Sequence, residues 1–64
     1  MATVREVLAE TARRLAAVTE TPDLEAALLA GHAWGWDCTR LIMNATQQAD
    51  TAPLEPLILR RLAH

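Results

Sequence analysis

The stretch that decides the fold is TPDLEAALLAGHAWGWDCTRLIM, which runs from Thr21 to Met43. Thr21 is a favourable N-cap, Pro22 suits the first helical position, and Asp23 places negative charge at the positive end of the helix dipole. Gly35 is the residue type that most often follows the last turn of a helix. The pattern therefore predicts a helix that starts after Thr21 and ends before Gly35.

This helix is predicted to be the central one of a bundle. On a helical wheel Leu24, Leu28 and Gly31 lie together and define its apolar stripe. The stripe extends to Ala27 and Trp34 on one side and to His32 and Leu29 on the other. Small residues let neighbouring backbones approach closely, and the helix has five of them, Ala26, Ala27, Ala30, Gly31 and Ala33. We expect Leu24 and Leu28 to be buried and the helix to be wrapped on more than one side.

The residues on either side of this helix predict three further elements. Thr3 and Glu6 form a capping box, so a first helix should run from about Val4 to Val18. Asp37 caps a short helix whose single apolar face comprises Cys38, Leu41, Ile42 and Ala45. A last helix should begin close to Pro53, with an apolar stripe of Leu54, Leu57, Ile58 and Leu62. The polar residues 44–52 between them are expected to form the longest and most mobile loop. The fold class is all-α, a small orthogonal or antiparallel bundle of four to five helices in one domain.

The composition limits the classes of function. Six arginines, no lysine and eight acidic residues give a formal net charge of -2, which provides no basic surface for nucleic acid. A single cysteine cannot form an internal disulfide and fits a reducing compartment. No apolar run approaches the roughly 18 residues that span a membrane, and no secretory signal is visible. We expect a cytoplasmic protein with no direct nucleic-acid or membrane partner.

None of the reactive side chains forms a catalytic or metal-binding pattern. His32 has no second ligand at helical spacing, so we expect a structural role, with one ring nitrogen bonded to a carbonyl or to Thr39. Cys38 would be activated by the helix dipole if it faced outward, but its place on the apolar face predicts burial. Trp34 and Trp36 are expected to divide into one core residue and one partly exposed residue, which could be an interface anchor or lie beneath a loop.

Four arginines and one leucine are the candidate contact residues. The arginines either contact an acidic protein partner or lie on ordinary solvated helix faces; they are Arg13, Arg14, Arg60 and Arg61. Glu10 precedes Arg14 by four residues, a spacing that favours an ion pair within a helix. Leu59 lies off the apolar stripe of the last helix. It either packs on a further domain or is a solitary exposed leucine.

One set of residues spread along the chain forms a recognisable pattern. It comprises Thr21, Pro22, Leu24, Glu25, Ala26, Leu28, Leu29, His32, Gly35, Asp37, Thr39, Arg40 and Leu41, with Thr3 to Glu6 near the start and Arg60 and Arg61 near the end. In these residues the chain resembles the N-terminal helical domain of the HemK/PrmC class of protein methyltransferases. One departure is Ala27, where the family often has a second acidic residue. The Asn-Pro-Pro-Tyr motif of the catalytic domain and its glycine-rich cofactor loop are absent from these 64 residues.

The resemblance implies a function for the chain as a part of an enzyme. Members of this class use S-adenosylmethionine to methylate the glutamine of the Gly-Gly-Gln motif in peptide chain release factors. Residues 1–64 would then be a substrate-recognition domain that binds and orients the release factor beside a catalytic methyltransferase domain, with no catalytic or cofactor-binding residue of its own. The alternatives are a stand-alone helical protein-interaction module and a purely structural lid on the cofactor domain.

Overall fold

The computed structural model describes residues 2–63. Within this range the chain forms four α-helices: α1 (Val4–Leu15), α2 (Pro22–Trp34), α3 (Cys38–Met43) and α4 (Glu55–Leu62). The prediction of a small all-α bundle is confirmed. Because α2 packs against each of the other three helices, its predicted central place is confirmed as well.

The first helix begins at the predicted capping box. The Thr3 hydroxyl accepts a hydrogen bond from the Glu6 N–H (3.3 Å), and the Glu6 carboxylate accepts one from the Thr3 N–H (3.0 Å). The bond from the Thr3 backbone holds the pKa of Glu6 below its ordinary value. α1 ends at Leu15, so the predicted end at Val18 is wrong. The N–H groups of Val18 and Thr19 both bond to the Leu15 carbonyl, at 2.9 and 3.1 Å, and this tight turn leads the chain into α2.

The loop of residues 44–52 is attached to the start of α1 by main-chain hydrogen bonds. The first N–H groups of a helix have no acceptor within the helix. Here the Val4 and Arg5 N–H groups donate to the carbonyls of Gln47 and Ala45, each at 2.9 Å. Thr3 and Gln48 add an isolated antiparallel β-bridge. The segment predicted to be the most mobile therefore completes the first turn of α1.

The close backbone approach expected along α2 occurs at its C-terminal end. Gly35 has φ 68° and its N–H bonds to the Gly31 carbonyl, as does the N–H of Trp36 at 2.9 Å. A Cβ atom on Gly31 would lie 2.6 Å from the Trp36 carbonyl oxygen, closer than such atoms approach. Glycine at position 31 therefore lets the chain fold back tightly against α2. At the other end Thr21 occupies the N-cap position as predicted, although its side chain makes no capping bond.

The predicted burial of Leu24 and Leu28 is wrong. Their exposed fractions are 57% and 58%, whereas Ala26 and Ala30 are 1% and 0% exposed. The three neighbouring helices cover the alanine side of α2, where small side chains permit close packing. The arc that carries the two leucines has no helix left to cover it.

The core consists of two adjoining clusters. The larger contains Val4, Val7, Ala30, Leu41, Leu54 and Ile58, and the smaller contains Ala12, Leu15 and Ala26. Leu29 and Leu62 pack against both clusters, so the core is continuous from α1 to α4. The α-helical residues of α4 start at Glu55, after a turn at residues 52–54, two residues beyond the Pro53 start that the sequence predicts.

Candidate protein-binding surface

Five large apolar side chains are exposed among residues 2–63. They are Leu24, Leu28, Ile42, Met43 and Leu59. Ile42 and Met43 of α3 are the most exposed, at 76% and 77%. Because α3 has only six residues, it buries Leu41 alone and leaves these two side chains in solvent.

An apolar groove lies between α1, α2 and α3, and we call it the α1–α3 groove. It has a volume of about 430 Å³ and is lined by Arg5, Leu8, Ala27, Cys38, Leu41, Ile42 and Ala45. Leu41 is buried, Leu8 and Ala27 are half-buried, and Ile42 is exposed. The lining thus passes from core to solvent, which makes the groove an open surface feature continuous with the core.

The exposed leucines of α2 extend this apolar surface. Leu24 precedes Ala27 by three residues and Leu28 by four, and residues at these spacings are neighbours on a helix surface. The apolar surface therefore continues from Ala27 in the groove to Leu24 and Leu28 beside it. Scattered exposed leucines are ordinary, but a contiguous apolar patch marks an interaction site.

The sequence predicts only part of this groove. The face of Cys38, Leu41, Ile42 and Ala45 was expected to be buried, but Cys38 and Ile42 are exposed, so that expectation is wrong for both. The shortness of α3 is the reason, since a six-residue helix presents too little surface to be covered on a whole face. The contribution of Arg5 has no local sequence signal, because it depends on how α1 meets α3.

Two of the four candidate arginines join α4 to other helices. Arg14 of α1 donates to both carboxylate oxygens of Glu55, at 3.0 and 2.9 Å. Arg61 donates to both oxygens of Glu25 in α2, at 2.6 and 3.3 Å. These bonds lower the pKa of both glutamates and raise the pKa of both arginines. The solvated interpretation is therefore wrong for Arg14 and Arg61.

The other two arginines are exposed. Arg13 forms an exposed ion pair with Glu10, the residue that local spacing assigned to Arg14. Arg60 has no ion-pair partner among residues 2–63. A contact between the four arginines and a protein partner stays a prediction, as does the packing of the exposed Leu59 on a further domain.

The two tryptophans stabilise the connection between α2 and α3. Both are half-buried, so the expected division into a core and an exposed residue is wrong. Their ring centroids are 5.4 Å apart with a tilt of 55°. The Trp34 indole N–H donates to the Asp50 carbonyl at 2.9 Å, and the Arg40 guanidinium lies 5.6 Å from the centroid of Trp36. The Trp34 bond thus holds the loop at Asp50 beside the end of α2, and both rings line a groove of about 290 Å³ together with Val4, Gln48, Ala49 and Asp50.

The remaining reactive side chains stand apart from one another. His32 is exposed, and its side chain makes no hydrogen bond within residues 2–63, so the expected bond to a carbonyl or to Thr39 is absent. Within the same range no three His, Cys, Asp or Glu side chains are grouped to hold a metal ion. None of the helices described is both long and apolar enough to cross a membrane.

Comparison with known proteins identifies the family. The family model described as the PrmC N-terminal domain matches residues 6–64, which include all four helices except the first two residues of α1. No curated protein and no solved structure matches the chain. The family match covers most of the sequence, including the residues from Thr21 to Leu41 that carry most of the resemblance. The chain therefore belongs to the family of PrmC N-terminal domains.

Proposed function

We propose that this domain binds a peptide chain release factor and orients it for a methyltransferase that modifies the glutamine of the Gly-Gly-Gln motif. The observation that carries the proposal is the match to the PrmC N-terminal domain family over residues 6–64. The structure supports a binding role because it presents exposed apolar side chains beside a compact core.

A domain of this kind contributes to catalysis by proximity and orientation. It holds the release factor by a surface remote from the reacting glutamine, so that the Gly-Gly-Gln loop is concentrated at the catalytic pocket. The second contact also confers specificity for a folded protein over a three-residue motif. The domain would thus raise kcat/KM for the intact factor without touching the reacting atoms.

The cofactor in this proposal belongs to the catalytic domain of the parent enzyme. S-adenosylmethionine supplies the methyl group when it is bound there. The chain has only two glycines, Gly31 and Gly35, and both serve the end of α2. The domain is therefore proposed to act on the protein substrate and not on the cofactor.

The test uses a methyltransferase that carries this domain and two substrates, the intact release factor and a short peptide with the Gly-Gly-Gln motif. Removing residues 1–64 should lower kcat/KM for the intact factor by about tenfold or more, since a lost contact of ~1.4 kcal/mol has that effect. The rate on the peptide and the affinity for S-adenosylmethionine should change little. Equal losses in all three would contradict a recognition role and favour a structural lid.

The parent enzyme can be tested separately from the role of the domain. A reading frame that continues beyond residue 64 through Glu-Pro to Asn-Pro-Pro-Tyr supports a methyltransferase. A stop codon after residue 64 would instead favour a stand-alone interaction module. Titration of the 64-residue chain with release factor then measures binding directly, and weak binding is expected because tethering normally supplies part of the effective affinity.

A further inference from the structure

We propose that the α1–α3 groove binds an amphipathic helical segment of the protein partner that places a carboxylate against Arg5. This inference rests on the proposed function and deepens it by naming the surface and the chemistry of the segment that it takes.

The shape of the groove suits a helix better than a small molecule. Its volume of about 430 Å³ lies within the range of ligand pockets. However, Arg5, Cys38 and Ile42 on its walls are all exposed, whereas small-molecule sites enclose most of the ligand. An open apolar groove between helices is the surface on which the apolar face of another helix docks.

The walls of the groove are held in place before any partner binds. On the α3 side the Asp37 carboxylate accepts from the Arg40 N–H, and the Asn44 side chain donates to the Arg40 carbonyl, both at 2.8 Å. The carbonyl of Ala45, a lining residue, accepts from the Arg5 N–H at 2.9 Å. The first two bonds fix the ends of α3, and the third connects the two walls through the backbone. Ordering of the groove would therefore subtract little from the free energy of binding.

The charge of Arg5 indicates that the partner helix carries a carboxylate. Arg5 is the one charged residue in the lining, and among residues 2–63 its side chain has no ion-pair partner. Covering an unpaired guanidinium with an apolar helix would be unfavourable. A carboxylate beside the apolar face of the partner helix would pair with this guanidinium.

A second copy of the chain does not meet these requirements. A twofold dimer through this surface would place the groove against the same groove. Two concave surfaces would leave their shared volume unfilled, and the two Arg5 side chains would approach each other. The same surface is filled by a convex helix that carries an acid.

The experiment measures binding of release factor to the 64-residue chain and to four variants, at low and moderate salt. Ile42→Gln removes an apolar contact, and Arg5→Gln removes the charge. Leu59→Gln is the apolar control and Arg40→Gln is the charge control, and neither residue belongs to the groove lining. All four side chains are exposed, so each variant should keep its fold, as circular dichroism can verify.

The expected result has two parts. Ile42→Gln should weaken binding by about tenfold, as for an apolar anchor in an interface, with the salt dependence unchanged. Arg5→Gln should weaken binding and also flatten its salt dependence, because an ion pair is lost. Leu59→Gln and Arg40→Gln should bind as the original chain does.

Other outcomes separate this inference from the proposed function. If the original chain binds release factor and the groove variants bind equally well, the groove assignment is wrong while the recognition role stands. Loss of binding in Leu59→Gln alone would move the contact to α4 and also overturn the assignment. If neither the original chain nor the intact parent enzyme bound release factor, the result would count against both the groove assignment and the proposed function. Concentration-dependent dimerisation that Ile42→Gln abolishes would show that the groove is used for self-association.

Discussion

Replacing Leu15 by alanine should remove most of the folding stability of the domain, whereas the same replacement at Leu28 should remove little. Leu15 is 0% exposed and belongs to the smaller core cluster. A buried Leu→Ala change costs about 2–5 kcal/mol, through lost transfer free energy and the cavity left behind. A chain of this size has a total stability of roughly 3–5 kcal/mol. The Leu15→Ala variant should therefore be close to half unfolded.

Leu28 is the matched comparison because it lies in the neighbouring helix and differs mainly in burial. Its side chain is 58% exposed, so roughly two fifths of its surface is covered and no closed cavity can form. Full burial of a leucine contributes about 1.5–3 kcal/mol. The expected loss for Leu28→Ala is accordingly about 0.6–1.2 kcal/mol.

Urea unfolding followed by both tryptophan fluorescence and circular dichroism provides the assay. Coincident transitions would establish two-state behaviour. With a slope near 1 kcal/mol per molar urea, Leu15→Ala should lower the midpoint by about 2–5 M and Leu28→Ala by about 1 M or less. Equal shifts for the two variants would refute the assignment of the buried face of α2.

Three further outcomes follow from the structure. Gly31→Ala should lower the free energy of unfolding by about 1 kcal/mol. The clash of a Cβ atom 2.6 Å from the Trp36 carbonyl oxygen costs more free energy than the higher helix propensity of alanine contributes. A variant that is more stable in urea unfolding would contradict this. The ion pair with Arg61 holds the pKa of Glu25 below its ordinary value of 4.5, so its contribution is present above that pH and is lost as the pH falls through the lower folded-state pKa. Glu25→Gln should make thermal stability less dependent on pH in acid, and an unchanged dependence would argue against the pair. Thr3→Ala should lower the free energy of unfolding by about 1 kcal/mol because it removes the capping box. Thr3→Ser keeps the hydroxyl and should lower it less. Equal losses of stability for the two variants in thermal unfolding would count against a capping role.

The local features of the fold could be predicted from the sequence because they depend on a few neighbouring residues. The Thr3–Glu6 capping box, the Gly35 end of α2 and the Asp37 cap of α3 all depend on contacts within about five residues. Each is present in the structure. The end of α1 was predicted less well, because the turn after Leu15 depends on where α2 has to start.

The buried face of α2 was predicted wrongly for a reason that applies to other alanine-rich helices. A helical wheel gives most weight to large apolar residues, and it placed Leu24 and Leu28 inside. In the structure the neighbouring helices approach the side with Ala26 and Ala30, which are four residues apart. A stripe of alanines at helical spacing was the signal for a close-packed face.

The candidate site depends on contacts that are distant in the sequence. Arg14 pairs with a residue 41 positions away and Arg61 with one 36 positions away. No spacing rule identifies these partners. The groove likewise depends on α1 meeting α3, so the sequence indicated its Ile42 side and not its Arg5 side.

The way in which the loop of residues 44–52 completes α1 has a consequence for how this segment can vary among related proteins. The acceptors for the Val4 and Arg5 amides are carbonyls of Gln47 and Ala45, and every amino acid supplies a carbonyl. Substitutions at these two loop positions should therefore be tolerated widely, but an insertion or deletion would shift the register of the acceptors. Slow amide hydrogen exchange at Val4 and Arg5, two positions that usually exchange quickly at the start of a helix, would be the mark of this arrangement.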